Sequence, residues 1–70
     1  MSDERTNHDI LIDFIASYIQ KHQYPPSTRE MALHMDFRSV ESIHRLLRTL
    51  RDEGRVTWEP RKARTLRILE

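Results

Sequence analysis

Tyr24-Pro25-Pro26-Ser27-Thr28-Arg29-Glu30-Met31-Ala32, followed by Asp36-Phe37-Arg38-Ser39-Val40, is the stretch that decides the architecture. Neither proline can donate to a helix ladder, and each biases its predecessor toward extended backbone, so a preceding helix must stop here. Ser27 and Glu30 then have the spacing of a capping box, which opens a new helix. Met31, Ala32 and Met35 supply its buried side, and it is short, ending near Met35 or Asp36. Asp36 stands where a left-handed turn residue is useful, and Asp tolerates that region better than most residues with a Cβ. Phe37 is expected to anchor the turn in the core. Ser39 is placed to cap a third helix, in which Val40, Ile43, Leu46, Leu47 and Leu50 recur at helical spacing. Gly54 occupies the expected position just past its end. A short helix, a tight turn and a longer helix make a helix-turn-helix.

Working outward, residues 1–6 are polar and expected to fray. Thr6 and Asp9 approximate a capping box, with Asn7 as the alternative cap. Ile10, Leu11, Phe14, Ile15, Tyr18 and Ile19 form a wide stripe on one helix face, with Ile12 off it. The spacing predicts a first helix over about residues 8–22, serving as scaffold. Beyond Gly54 the period changes. Val56 and Trp58 alternate with Thr57 and Glu59, and Thr65-Leu66-Arg67-Ile68-Leu69 alternates again. Between them, Pro60-Arg61-Lys62-Ala63-Arg64 reads as a basic turn. A β-hairpin over about residues 55–69 follows. The fold class is mostly α with this small hairpin, a three-helix winged helix-turn-helix in one domain spanning 1–70.

The chain has 70 residues and no cysteine. A domain this small buries only about 60% of its unfolded surface, which leaves little room for an enclosed catalytic pocket, and no enzyme is expected. The absence of thiols excludes disulfides and thiolate metal sites and fits a cytoplasmic location. Met1 is followed by Ser-Asp-Glu-Arg and not by an apolar run, so no secretory signal is read. The net charge of +1 says little. Its distribution says more: residues 1–37 hold three Lys/Arg against six Asp/Glu, and residues 38–70 hold nine against five. The C-terminal half therefore suits a polyanion, although a solvated face of mixed charge has the same composition.

An α-helix fits the major groove of B-DNA, where each base pair shows its own donor and acceptor pattern, and a helix-turn-helix braces such a helix. With its apolar residues turned to the core, the third helix presents Glu41, Ser42, His44, Arg45, Arg48 and Arg51 outward or on its flanks. Arg45 can donate bidentately to guanine and Glu41 can accept from the cytosine amine. Arg38 and Arg48 can pair with phosphates, and Thr28 lies at the start of the second helix, where free N–H groups attract anions. Arg61, Lys62 and Arg64 place cations on the hairpin, suited to the backbone or a minor groove. Keeping a turn soluble is the plainer role for the same three residues.

Tyr24 to Ala32 with Phe37-Arg38-Ser39 closely resembles the N-terminal DNA-binding domain of LexA-type repressors. Leu66-Arg67-Ile68-Leu69 is similar to the close of that domain's wing. The resemblance covers roughly residues 8–69. It implies a winged fold that recognises operator half-sites on double-stranded DNA, usually as a repressor dimer. It places base contacts at the start of the third helix, here Ser39, Glu41, Ser42, His44 and Arg45. It also shows departures. The Phe-Arg-Ser turn is commonly preceded by glycine in that family, and Asp36 stands there. The recognition helix is typically rich in Asn, Ala and Glu, so an operator other than the family's usual one is expected. Such repressors also carry a self-cleaving serine-lysine domain that dimerises; Glu70 falls about where the linker to it begins, so no self-cleavage by that route is expected of these 70 residues.

The remaining reactive side chains are expected to be structural. His8, His22, His34 and His44 lack helical metal-ligand spacing, so neither a metal site nor a cofactor is expected. Trp58 reads as wing-root core, with nucleobase stacking as the sharper alternative. Tyr18 fits helix packing and Tyr24 a staple before the second helix. A winged helix can also dock a protein partner through its third helix or wing, and that is the competing reading of the whole chain.

Overall fold

The computed structural model describes residues 6–62 and 64–69. Three helices, α1 (Asn7–His22), α2 (Thr28–Met35) and α3 (Val40–Asp52), precede two strands, β1 (Val56–Thr57) and β2 (Arg67–Ile68). The strands pair antiparallel, Val56 opposite Ile68 and Thr57 opposite Arg67. This is the three-helix winged helix-turn-helix predicted above. The expected fraying concerns mainly residues 1–5, which lie outside the described residues, as does Ala63 of the basic turn.

The helix ends follow the local chemistry. Thr6 caps α1 by accepting the Asp9 N–H at 3.2 Å. The capping box of α2 is complete: the Ser27 hydroxyl accepts the Glu30 N–H at 3.1 Å, and the Glu30 carboxylate accepts the Ser27 N–H at 2.8 Å. Asp36 is left-handed, with φ 60°, and the Asp36 and Phe37 N–H groups donate back to Leu33 and Ala32. That double closure turns the chain sharply and drops Phe37, half-buried, against the core. One expectation needs correcting. Ser39 takes the N-cap position of α3 in extended backbone, but its hydroxyl makes no cap hydrogen bond. The backbone at the cap position is already extended, at φ −145° and ψ 157°, without that bond.

Gly54 ends α3 at φ 77°, with its own N–H donating to Arg51 and that of Arg55 to Leu50. A Cβ built on Gly54 meets nothing within 4 Å, so any penalty for adding one comes from the backbone alone. Gly54→Ala is expected to cost about 1–2 kcal/mol, the strain of a left-handed L-residue. A thermal melt should show it as a midpoint lowered by roughly 4–8 °C per kcal/mol in a domain of this size.

The core joins the three helices and β1, through Leu11 and Ile15 of α1, Met31 and Ala32 of α2, Ile43, Leu47 and Leu50 of α3 and Val56, to Leu66 just before β2, whose Ile68 packs half-buried against it. The apolar stripe expected on α3 is its buried face, with Val40 and Leu46 half-buried at the margins. The wing is held to this body at its root. The Arg55 guanidinium donates to Asp9 in the first turn of α1 at 3.1 Å. The Leu69 N–H extends the pairing by donating to the Arg55 carbonyl.

The strands are shorter than the alternating pattern suggested. Where a ladder would continue, Thr65 takes over with its side chain. Its hydroxyl accepts the Glu59 N–H at 2.8 Å and lies within hydrogen-bond reach of the Glu59 and Lys62 carbonyls. Glu59 to Lys62 then form a tight turn closed by the Lys62 N–H on the Glu59 carbonyl. Pro60 supplies the fixed φ for its second residue, and Arg61 is left-handed at φ 67° in its third. A side chain satisfies the backbone here, so period-2 reading overestimates the strands.

Candidate nucleic-acid interface

α2 and the middle of α3 form two walls of a groove, and the wing forms the third. Thr28 at the start of α2, His44 and Arg48 on α3, and Lys62 and Arg64 on the wing line this groove of about 690 Å³. These are residues from three separate elements that sequence reading had assigned to DNA contact. Thr28 is half-buried and the four basic side chains are exposed.

The five candidate base readers do not all share this groove. Ser42 and Arg45 line a shallower depression on the other side of α3, with Asn7, His8, Phe37, Leu46 and Thr49. Helix geometry explains the split. With Ile43, Leu47 and Leu50 buried, Glu41 and Arg45 share the ridge farthest from the core, one turn apart. Arg48 lies beside that ridge. His44 falls on its wing side and Ser42 on its α1 side. Ser42 is half-buried, whereas Ser39, Glu41, His44, Arg45 and Arg38 are exposed. The Thr49 hydroxyl donates to the Arg45 carbonyl, one turn back in the helix. Arg61 sits exposed at the wing tip.

Several side chains in the groove have roles that spacing did not reveal. The Arg64 guanidinium lies over the ring of Tyr24, 4.5 Å from its centroid. Arg51 lies over Trp58 at the same distance. Trp58 packs against the core at the wing root as expected, with Arg51 over its ring. Lys62 pairs with Glu59 at 3.5 Å, with both side chains well exposed. Such a pair is worth little and yields readily to a phosphate. Tyr18 also does more than pack, since its hydroxyl donates to Glu30 at 2.9 Å. Desolvation first, and then the Glu30 carboxylate, push the Tyr18 phenol up to about 12. The Ser27 N–H, and after it the Tyr18 hydroxyl, hold the Glu30 carboxyl below the usual carboxylate range. Glu30 is therefore an anion tied to the capping box, and it leaves the start of α2 fixed in place.

His8, His22 and His34 each make contacts of their own. His34 stacks on Phe14 at 4.1 Å, and His22 leans on Tyr18 at 4.2 Å. His8 stands 3.7 Å from Glu53. Among the described residues, no helix is long and apolar enough to cross a membrane.

Residues 5–65 match the LexA DNA binding domain. This chain belongs to the LexA DNA-binding domain family. The match takes in all three helices and most of the wing, and so most of the stretch, roughly residues 8–69, over which the resemblance was read; it stops short of Leu66 to Leu69. The chain is similar to the transcription regulator LexA of Synechocystis sp., 48% identical over 59 residues, covering 84% of this chain and 29% of that relative. It is 36% identical over 59 residues to the LexA repressor of Acetivibrio thermocellus, covering 84% of this chain and 28% of that one. With the LexA repressor of Clostridium tetani it shares 29% identity over 66 residues, 94% of this chain and 33% of that one. The chain thus spans about a third or less of the length of these LexA relatives. Glu41, His44 and Arg45, the residues of α3 that were read as departures from the family's usual composition, are all exposed.

Proposed function

We propose that this chain is a sequence-specific double-stranded DNA-binding transcriptional repressor, with α3 in the major groove and the wing on the backbone or minor groove. The observation that carries the reading is the convergence of Thr28, His44, Arg48, Lys62 and Arg64, from α2, α3 and the wing, on one groove in a chain of the LexA DNA-binding domain family. Base reading falls to the outer face of α3. Glu41 and Arg45 reach farthest, and Ser42 and His44 read from the two flanks. Ser39, its hydroxyl unused in capping, can reach a base or phosphate at the helix start. Thr28, Arg38, Arg48, Arg61, Lys62 and Arg64 hold the sugar-phosphate backbone and set the register.

A single module of this kind contacts roughly 600–1,000 Å² of its own surface on DNA, too little for tight operator binding alone. Two copies on a palindrome are therefore the proposed functional unit, each copy acting as one DNA-binding domain. Selection from a random duplex library should return an inverted repeat that differs from the family's usual operator. A pool without any enriched sequence overturns the reading of sequence-specific binding.

Backbone and base contacts separate by their salt behaviour. Lys62→Ala is expected to weaken binding to every duplex by a similar factor and to reduce the slope of log affinity against log salt by about 1. Titrations of selected and scrambled duplexes at several salt concentrations check this.

A further inference from the structure

Tyr24 stands in the α1–α2 connection, just before the two prolines, and is 39% exposed. It belongs to none of the elements that are expected to touch DNA, yet its ring carries a wing cation. We propose that Tyr24 is a positioning residue for backbone recognition: its ring is the platform that holds the Arg64 guanidinium at the groove opened by the start of α2. The inference rests on the DNA-binding reading above and adds a residue to it.

The geometry of the pair favours presentation over sequestration. The central guanidinium carbon lies 4.5 Å from the ring centroid, a contact of charge with the ring that uses no hydrogen-bond acceptor, so the five donors are not spent on one. Arg64 thus keeps its donor edges for a phosphate while its position is fixed. A free arginine must lose rotamer freedom when it binds, and one already laid on a ring loses less. The backbone does little of this work. Arg64 is left-handed at φ 62° and lies outside the short strand ladder, which ends at Arg67.

The platform is itself braced. The Tyr24 ring meets Tyr18 edge-on, with centroids 5.8 Å apart and planes at 69°. Tyr18 donates to Glu30, and Glu30 closes the capping box with Ser27. A continuous set of contacts therefore runs from the wing cation through Tyr24, Tyr18 and Glu30 to the N-terminus of α2. Thr28 and Arg64 line the same groove, so this strut sets the spacing between two points at which the DNA backbone is to be held. Nucleobase stacking is a poorer use of the ring, since Arg64 already covers one face and Tyr18 abuts its edge.

A double-mutant cycle on the full chain tests this, with mixed-sequence duplex DNA as probe and affinity read across a salt series. Tyr24→Leu should weaken binding about two- to ten-fold, the cost of immobilising one free arginine side chain, with little change in melting temperature. In the Arg64→Ala background, which itself lowers the salt slope by about 1, the same change should have no further effect. Tyr24→Phe keeps the ring and should bind like the unsubstituted chain. Multiplying effects, a Tyr24→Leu variant that binds equally or more tightly, or a Phe variant as weak as the Leu variant each overturn the proposal. These outcomes are read only against an unsubstituted chain that binds DNA; if it shows no salt-sensitive binding, the DNA-binding reading fails instead.

Discussion

Leu50→Ala is expected to leave the chain largely unfolded at room temperature. Leu50 is 0% exposed and sits in the last turn of α3, in the cluster that joins α1, α2 and β1. Its carbonyl also accepts the Arg55 N–H that turns the chain from α3 into the wing. Truncating a buried leucine costs about 2–5 kcal/mol, through lost burial and the cavity left behind. A single core in a chain this small supplies only roughly 3–5 kcal/mol in all. The loss is comparable to the total, so a denaturant titration should find no native baseline or a very short one. Leu33→Ala is the control. Leu33 is 76% exposed on α2, and its removal should shift stability by no more than about 0.5 kcal/mol.

Arg45→Ala should produce the largest change in specificity without a comparable change in fold. Arg45 is exposed on the outermost ridge of α3, one turn after Glu41, and belongs to no part of the core. A bidentate arginine–guanine pair discriminates against the wrong base by about 1–3 kcal/mol, or roughly five- to 150-fold. Repeating the duplex selection with the variant should therefore flatten one position in each half-site while the others persist. Binding to scrambled duplex should fall much less. If every position weakens together, Arg45 is a phosphate contact and base reading belongs elsewhere on the helix. The contrast with Lys62→Ala, which is expected to act on all sequences alike, makes the assignment decidable.

Much of the fold was legible because its signals are local. The double proline, the Ser27–Glu30 box, the left-handed Asp36 and Gly54, and the apolar period of α3 each act within a few residues. Backbone sterics and capping operate at that range, so spacing alone reports them. The misreadings also have local causes. Ser39 was expected to use its hydroxyl as a cap, but its backbone is extended at the cap position without that bond. The wing strands were read too long because Thr65 satisfies by side chain what a ladder would satisfy by backbone.

The candidate interface was half legible. Its cations were named from sequence, since a basic C-terminal half is visible in composition. Their grouping was not: His44 and Arg48 share a groove with Thr28 and the wing, while Ser42 and Arg45 face the other side of α3. Nothing in the spacing of Tyr24 and Arg64, Arg51 and Trp58, or Asp9 and Arg55 marks them as partners.

For the opening stretch, the sequence by itself determined where helices stop and start and which residues turn inward. Those choices are made by φ limits, caps and period. Tertiary structure alone decided which elements flank each side of α3, and that an arginine from the wing rests on the tyrosine before the prolines. Such contacts depend on the relative placement of elements far apart in the chain, and that placement is settled only when Leu11, Ile15, Met31, Ile43, Leu50 and Val56 pack together.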